Sequence, residues 1–327
     1  MSTVRKVQRT PGGTFFITVP KSWAEQYGLK RGSIVAVDDA SNGKLVIDAK
    51  HGTSPAPRSV TLKIGAHLGR ELIGEYLLGF DVIHVESKNR VTPEARDTVK
   101  SVVDRLIGLE IVEEDYSRIV LQSLLEPTGF PPEKILRRGY SIVAGMHRDA
   151  VNALIDGDLL LAKNVMARDD EGNRLYFLLV RILRTIVQNP SLSEKLGVTP
   201  IECLDYRLVA SLVEGIGDEC VRIAQTAVEM KGTQLSDELK KMFADLHTLC
   251  YEAHENALEA FLTGNIDMAE SVRAKTDRVS KAFVGIEKVA KAESLPMVPQ
   301  VLAVSSFLRE IYDHSVDISD LAIPKRA

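Results

Sequence analysis

The sequence predicts a multidomain α+β protein in which a short strand-rich module and a small α/β layer domain precede a long, purely helical region. Strand patterns end near residue 128, and from Phe130 onward apolar residues recur at helical spacing. The stretch 147–176 is repeated at 254–283 without a gap, and eight of the thirty paired positions are identical. A self-match of this length indicates a duplicated supersecondary unit.

Each copy of the repeat has two apolar helical runs separated by a turn, which is Gly157-Asp158 in the first copy and Gly264-Asn265 in the second. This pattern predicts a helical hairpin. A third helix follows each hairpin, so we expect two antiparallel three-helix bundles, over residues 130–231 and 232–327. The predicted helices are 132–156, 158–188, 200–230, 235–263, 265–291 and 297–322.

The N-terminal module, residues 1–50, is too small to bury much core alone, so it should dimerise or dock. Its predicted elements are strands at 4–9, 14–19, 34–38 and 45–48, and a short helix at 21–27. It holds eight Lys and Arg against four Asp and Glu, whereas the whole chain has a net charge of −4. A basic module on an acidic body suggests phosphate contacts to nucleic acid. The alternative is an ordinary solvated surface.

The middle domain, residues 59–128, alternates strands and helices in the order β-α-β-α-β-β, which is typical of a small α/β layer. The polar, proline-containing stretch 51–58 precedes it and indicates a linker. The domain has no Gly-rich phosphate loop, so we expect a coupling or dimerisation role and not a nucleotide site.

The overall composition, with 45% hydrophobic and 26% charged residues, is that of a soluble globular protein. The three cysteines, Cys203, Cys220 and Cys250, lack CxxC spacing, which indicates reduced thiols in a cytosol. The first residues lack the apolar run of a signal peptide, and no segment is apolar enough to span a bilayer. We therefore expect a cytoplasmic protein without membrane insertion.

The run RKVQRTPGGTFFITVPKSWAEQYGLKRGSIVAVDD, residues 5–39, resembles the AbrB-type swapped-hairpin fold. The shared pattern is a basic strand, a glycine turn, a strand ending in Val-Pro-Lys, a short helix and Gly-Leu-Lys-Arg-Gly. The resemblance implies an obligate dimer of interleaved hairpins, and many such dimers bind DNA. It implies that the DNA contacts are made by Arg5, Lys6, Arg9, Lys21 and Arg31. The fold is also used for dimerisation alone.

The third helices extend the duplication, because Asp218 and Asp313 align at an offset of 95 residues. The run LREIYDHSVDISDLAI, residues 308–323, is similar to the signature of the PhoU family, as is ILRRGYSIVAGMH at 135–147. The resemblance covers about residues 130–323, and the middle domain resembles what precedes PhoU repeats in archaeal fusion regulators. It implies a role in phosphate homeostasis, with docking to a histidine kinase or to a phosphate transporter.

PhoU proteins can hold iron or zinc clusters on acidic helical motifs. In such a motif, an acid and the residue four positions on lie on one helix face, so two acids at this spacing can share a cation. Three of the motif acids face a base, as the pairs Asp170/Arg174, Asp218/Arg222 and Asp277/Lys281. The first two of these pairs lie in the first repeat and predict that it is a neutralised scaffold. Only the last helix keeps neighbouring acids, at Asp313, Asp317 and Asp320. This face could hold a single divalent cation of iron, zinc or magnesium, or its acids could simply cap and pair helices.

His147 and His254 occupy equivalent positions in the two repeats. They are either a symmetric ligand pair or, as is commoner for a histidine on a half-buried helix, satisfied polar groups. The sequence has no Ser/His/Asp or Cys/His arrangement with supporting spacing. We therefore do not expect an enzyme. A metal-dependent enzyme is kept only as a third hypothesis, after the two that are described next.

Two functions follow from these features. The first is a transcriptional regulator of phosphate uptake, which binds DNA through a homodimer or higher homo-oligomer and uses the helical bundles for sensing and docking. The alternative is a non-DNA-binding adaptor that regulates a phosphate transporter or kinase by protein contact.

Overall fold

The computed structural model describes residues 4–40, 43–49, 57–291 and 297–324. The chain forms two compact units, residues 1–57 and 58–327. Most of the predicted linker, 51–58, lies outside the described residues. The finer division of the second unit into three domains remains a prediction.

The first unit consists of two antiparallel hairpins and one short helix. Its elements are β1 (Gln8–Arg9), β2 (Phe15–Phe16), α1 (Lys21–Gln26), β3 (Ala36–Ala40) and β4 (Lys44–Asp48). The first two strands are shorter than predicted from the alternating pattern. An isolated two-stranded hairpin is at best marginally stable, and residues beyond the paired positions have no further strand to bond.

None of the described residues of the first unit with an assigned burial is buried. Large apolar side chains are instead exposed, among them Val4 (91%), Phe15 (67%), Ile34 (77%) and Leu45 (66%). Within its described residues, a single copy of this module therefore has no hydrophobic core of its own. Apolar side chains spread over so small a unit are expected to be covered by another protein surface.

The second unit begins with strands and helices in the predicted order β-α-β-α-β-β, which the structure confirms. Its elements are β5 (Ser59–Lys63), α2 (Leu68–Leu77), β6 (Val82–Glu86), α3 (Pro93–Arg105), β7 (Leu109–Glu114) and β8 (Arg118–Ser123). The strand order is β5-β6-β8-β7, with β5 parallel to β6 and the other pairs antiparallel. Leu72, Tyr76, Ile83 and Leu121 are fully buried in a core of its own.

The helical region forms one continuous hydrophobic core to which both repeats contribute. Its helices are α4 (Pro132–Asp156), α5 (Leu159–Gln188), α6 (Pro190–Leu196), α7 (Pro200–Glu229), α8 (Asp237–Thr263), α9 (Ile266–Arg273), α10 (Thr276–Ala290) and α11 (Val298–Ser319). The first repeat packs α4, α5 and α7 together, and the second packs α8 and α11 with α9 and α10. The repeats meet where α4 packs on α8 and α7 packs on α11.

The predicted hairpin turn is confirmed in both repeats. Gly157 and Gly264 end α4 and α8 in the left-handed conformation, with φ of 68° and 71°. A side chain at this φ is strained, which explains the glycine. The next residue caps the following helix, since the Asp158 carboxylate accepts from the amides of Leu160 and Leu161, and the Asn265 side chain accepts from that of Met268.

Two helices differ from the prediction. The segment after Asn189 was expected to be a break but contains the short helix α6, in which the Asn189 side chain accepts from the Leu192 amide. The helix expected over 265–291 is divided between Arg273 and Thr276. There the hydroxyl of Tyr312 donates to the carbonyl of Val272 (2.8 Å) and contacts Thr276 Oγ1 (2.9 Å). A side chain that takes a helix carbonyl in this way interrupts the regular hydrogen-bond ladder.

A buried arginine joins the α/β domain to the first repeat. Arg181 of α5 is only 4% exposed, and its guanidinium donates to the carbonyls of Tyr76 (2.7 Å) and Phe80 (2.9 Å). Tyr76 lies in the last turn of α2 and Phe80 follows the helix. The Tyr76 carbonyl also accepts from the Gly79 amide (3.0 Å), so the guanidinium adds a second donor there. The guanidinium also lies over the Tyr76 ring and 3.4 Å from the Asp81 carboxylate.

Replacing Arg181 by methionine should therefore destabilise the second unit. The change keeps an apolar stem but removes the charged donor from the carbonyls of Tyr76 and Phe80, which should cost about 3 kcal/mol of unfolding free energy. Urea unfolding of the full chain measures this. Arg184→Met, at an exposed position one turn along the same helix, is the matched control and should change stability by less than about 0.5 kcal/mol. Equal losses in the two variants would contradict the assignment.

Candidate functional site: an acidic cleft in the first repeat

The helices of the first repeat leave a cleft between α4, α5 and α7. Its polar lining comes from Asp169 and Asn173 on α5 and from Glu214 on α7, and three glycines, Gly139, Gly172 and Gly217, leave the space open. We call this feature the acidic cleft. The enclosed space is about 30 Å³, which has room for one or two water molecules. The cleft is therefore too small to enclose an organic ligand.

The carboxylates of the acidic cleft are electrostatically strained. Burial raises the pKa of Glu214, and repulsion from Asp218 and Asp169 raises it further. Burial likewise raises the pKa of Asp169, with Asp218 and Asp170 adding to the effect, while a hydrogen bond from the Asn173 amide (2.9 Å) opposes it. Arg207, stacked over the Tyr176 ring, partly offsets the charge on Glu214. The cleft therefore concentrates negative charge and attracts cations.

The prediction that the first repeat is a neutralised scaffold is wrong. Arg222 pairs with Glu219 (2.8 Å) and not with Asp218. In the part of the chain that the structure describes, no Lys or Arg lies within salt-bridge distance of Asp169, Glu214 or Asp218. The helical spacing allowed the predicted pairs, but an i+4 neighbour binds only if its side chain has no better partner.

The sequence analysis missed Asp169 and Glu214, although a signal was present. Glu214 and Asp218 are acids at i and i+4 on one helix face. Comparing each motif acid only with the residue that follows it overlooked the acid four positions before Asp218. Nothing in the sequence by itself brings Asp169 of another helix to the same place.

In the second repeat, larger side chains stand at the positions equivalent to the cleft glycines. At the offsets of the duplication, Gly139 corresponds to Leu246, Gly172 to Val279 and Gly217 to Tyr312. Tyr312 is 2% exposed and reaches across to Val272 and Thr276. Glu214 and Asp169 correspond to Arg309 and Thr276, so the acids are lost together with the space.

The three acids predicted as a cation site do not form one compact group. Asp313 lies 3.9 Å from Arg309, Asp320 is paired with Arg273, and Asp317 is exposed. Burial raises the pKa of Asp313, with Arg309 opposing and Asp317 adding a smaller repulsion. Over residues 4–40, 43–49, 57–291 and 297–324, no group of three His, Cys, Asp or Glu is placed to hold a metal ion.

The five bases predicted to contact DNA are all exposed. Lys21 forms an ion pair with Glu25 (3.6 Å), and Arg9 lies over the ring of Phe15 (5.5 Å). Arg5, Lys6 and Arg31 are exposed without a described partner. Exposed pairs of this kind are weak, so they leave the lysine and the arginine available to other anions.

The two equivalent histidines are brought into direct contact. His147 Nδ1 and His254 Nε2 are 3.0 Å apart, and both residues are fully buried. The three cysteines are buried and free, as expected for core thiols.

A helical protein built from two copies of a three-helix unit, with a separate strand-rich N-terminal module, is the class that this fold defines. The PhoU domain model matches residues 136–227 and 243–322, which together are more than half of the chain. The chain therefore belongs to the PhoU family. The model described as "Antidote-toxin recognition MazE, bacterial antitoxin" matches residues 8–56, so the N-terminal module is MazE/AbrB-like, as the sequence predicted.

Two solved structures are similar. The crystal structure of PhoU from Pseudomonas aeruginosa has 22% sequence identity and a TM-score of 0.53, and the match covers 58% of this chain and 93% of that one. The phosphate transport system regulatory protein PhoU from Streptococcus pneumoniae has 20% identity and a TM-score of 0.49, with 58% and 91% covered. No curated protein sequence matches. Among the described residues, no helix is both long and apolar enough to cross a membrane.

Neutralising the acidic cleft should stabilise the protein. Because the pKa values of Glu214 and Asp169 are raised on folding, the folded state holds these protons more tightly than the unfolded state. The destabilisation that results from ionising these carboxyl groups in the folded protein is absent below their unfolded pKa values. It grows as the pH rises through their folded pKa values. Glu214→Gln or Asp169→Asn should each add up to about 1 kcal/mol at neutral pH, after discounting for solvent screening.

Urea unfolding near neutral pH and again about two pH units lower measures this gain, which should shrink at the lower pH. Glu229→Gln, at an exposed position of the same helix α7, is the control and should have no such effect. A loss of stability in Glu214→Gln would mean that the carboxylate has a favourable partner and would contradict the description of the cleft.

Proposed function

We propose that this protein is a cytoplasmic, DNA-binding regulator of phosphate uptake that acts without catalysis. The observation that carries the proposal is a basic N-terminal module, without a buried residue among those described with an assigned burial, that is joined to a PhoU body. The five exposed bases Arg5, Lys6, Arg9, Lys21 and Arg31 supply the positive charge. Exposed Lys and Arg on such a module bind the phosphate backbone by releasing counterions, which gives affinity that falls steeply with salt.

Dimerisation of the N-terminal module is part of the proposal. The module has apolar side chains but no buried residue among those described with an assigned burial. A second copy of the same hairpins is the natural cover, because an isologous interface buries the same patch on both chains. A dimer also doubles the number of bases that face one duplex.

The helical bundles supply the link to phosphate. Two proteins with similar structures are PhoU proteins, and one of them is described as a regulatory protein of a phosphate transport system. We infer that the bundles dock on a phosphate transporter or on a histidine kinase and pass the state of that partner to the DNA-binding module. The acidic cleft and the exposed apolar residues Ile201 and Leu204 of α7 offer surfaces for this contact.

DNA binding is tested on the full chain with fragments selected from sheared genomic DNA. In a mobility-shift assay at low salt, Arg5→Glu combined with Arg9→Glu should abolish the shifted band. Each phosphate contact removed should also lower the slope of log affinity against log salt by about 0.9.

Lys88→Glu combined with Lys100→Glu makes the same charge change at exposed positions of the α/β domain and is the matched control, which should bind as the wild type does. Equal binding by both double variants would refute the assignment of the bases. If the wild-type chain binds only weakly and without selectivity, the protein is instead an adaptor that acts by protein contact.

Dimerisation is tested by sedimentation of the full chain at micromolar concentration. Phe15→Asp combined with Ile34→Asp should lower the association state by placing charges in an apolar interface, which costs several kcal/mol for each buried charge. Both side chains are exposed in one chain, so within it the substitutions disturb little beyond the exposed contact of Arg9 with the Phe15 ring.

Leu160→Asp, which changes an apolar residue of similar exposure at the start of α5, is the control and should leave the association state unchanged. An unchanged sedimentation coefficient in the Phe15/Ile34 variant would show that the module does not hold the chains together.

A further inference from the structure

A row of hydrogen-bonded side chains crosses the junction between the two repeats. It consists of Tyr140 and His147 on α4 and His247 and His254 on α8, and we call it the histidine ladder. The duplication explains its layout: at the offset of 107 residues, Tyr140 corresponds to His247 and His147 to His254. The two members on each helix are seven residues apart and so lie on one face.

The contacts follow one another without a gap. The Tyr140 hydroxyl is 2.8 Å from His254 Nδ1, His254 Nε2 is 3.0 Å from His147 Nδ1, and His147 Nε2 is 3.2 Å from His247 Nδ1. His147 and His254 are 0% exposed, whereas His247 is half-buried. Every ring nitrogen of the two inner histidines therefore faces another ring or the tyrosine hydroxyl. The nitrogens form a line and do not converge on one point, which suits shared protons better than a metal ion.

Neutral imidazoles satisfy this row completely. If Tyr140 donates to His254, then His254 donates to His147 and His147 donates to His247, because each neutral ring has one donor and one acceptor. One added proton reverses the direction of donation along part of the row. The ring nitrogen of His254 then no longer accepts from the Tyr140 hydroxyl. Charges on two adjacent histidines place two N–H groups face to face, and that contact breaks.

The surroundings oppose any positive charge on the ladder. Burial lowers the pKa of His147, with His254 and His247 adding to the effect. Burial together with His247 lowers the pKa of His254 to about 3. Burial and then Arg148 lower the pKa of His247. The exposed carboxylate of Glu255 and the hydroxyl of Tyr251 act on Tyr140, whose pKa is raised mainly by burial. All of these groups lie on α4 and α8, the two helices that the ladder joins.

We propose that the histidine ladder is a proton-operated latch between the two repeats, closed while its imidazoles are neutral and opened when they are protonated. Because α4 belongs to one repeat and α8 to the other, separation of these helices would bring a charge on the two fully buried histidines, His147 and His254, to water. The latch thus ties the packing of the two bundles to the acidity of the surroundings.

The direction of the pH effect follows from linkage. A buried histidine that is neutral in the closed state and free to bind a proton in the open state favours closure fully above its ordinary pKa of about 6.5. Below that pH, each such histidine raises the ratio of open to closed molecules by about tenfold per pH unit. The two fully buried histidines together predict up to about a hundredfold per unit.

Hydrogen–deuterium exchange of the full chain, followed by mass spectrometry, tests the latch. After correction for the intrinsic pH dependence of exchange, peptides of α4 and α8 around the ladder should exchange at least about tenfold faster near pH 5.5 than near pH 7.5. Peptides of β7 and β8, in the separate core of the α/β domain, should not change.

The double variant His147→Gln with His254→Gln keeps hydrogen-bonding groups that cannot be charged, and it should lose the acid-induced increase. His84→Gln, on the sheet of the α/β domain, is the matched control and should retain it. The proposal is overturned if α4 and α8 exchange equally at both pH values, or if the double variant responds to acid as the wild type does.

A measurement on the wild-type chain covers the case in which the double variant does not fold. With 15N-labelled histidine, the two inner rings should remain neutral near pH 6, and each should show one protonated and one unprotonated nitrogen. Titration of both rings near pH 6.5 without any change in α4 and α8 exchange would overturn the proposal. So would stoichiometric Zn²⁺ binding at neutral pH that perturbs these nitrogens, since it would make the ladder a metal site.

Discussion

The packing of the two three-helix repeats against each other is the constraint on which the rest of the helical region depends. Neither repeat closes its core alone, because α4 packs on α8 and α7 packs on α11 within one continuous apolar cluster. A duplicated unit with an unburied apolar face gains stability by burying that face on its own copy, and the gain is proportional to the area removed from water. The polar side chains caught in this junction must therefore satisfy one another, as the histidine ladder does.

A common core did not keep the two repeats alike. The exchange of a glycine for a tyrosine, Gly217 in one repeat and Tyr312 in the other, separates them most clearly. The glycine leaves room beside a continuous α5, so Asp169 and Glu214 face each other across a small cleft. The tyrosine fills that room, takes a carbonyl of α9 and divides the helix. One repeat thus keeps a strained acidic surface, whereas the other is more fully packed.

The N-terminal module and the helical body handle charge in different ways. The module exposes its bases and has too little apolar interior to stand alone, which suits a part that is completed by a second chain and by a polyanion. The second unit instead buries single charged groups against matched partners. Arg181 is the clearest case, because its guanidinium satisfies carbonyls of the α/β domain while its stem lies in a helix of the first repeat.

Local signals in the sequence determined much of this protein. The exact offset of 107 residues indicated the duplication, and the Gly-Asp and Gly-Asn pairs predicted both hairpin turns. The alternation of strand and helix patterns predicted the element order of the α/β domain. These features depend on neighbours in the chain, since helix period, left-handed glycine and capping side chains act over a few residues.

Only the tertiary structure decided which charged and polar side chains meet. Arg222 pairs with Glu219 and not with Asp218. Asp169 and Glu214, which lie on different helices, line one cleft. Four polar residues from the two repeats form one ladder. Such contacts depend on side chains distant in sequence, and their pKa values depend on burial, which helical spacing alone does not reveal.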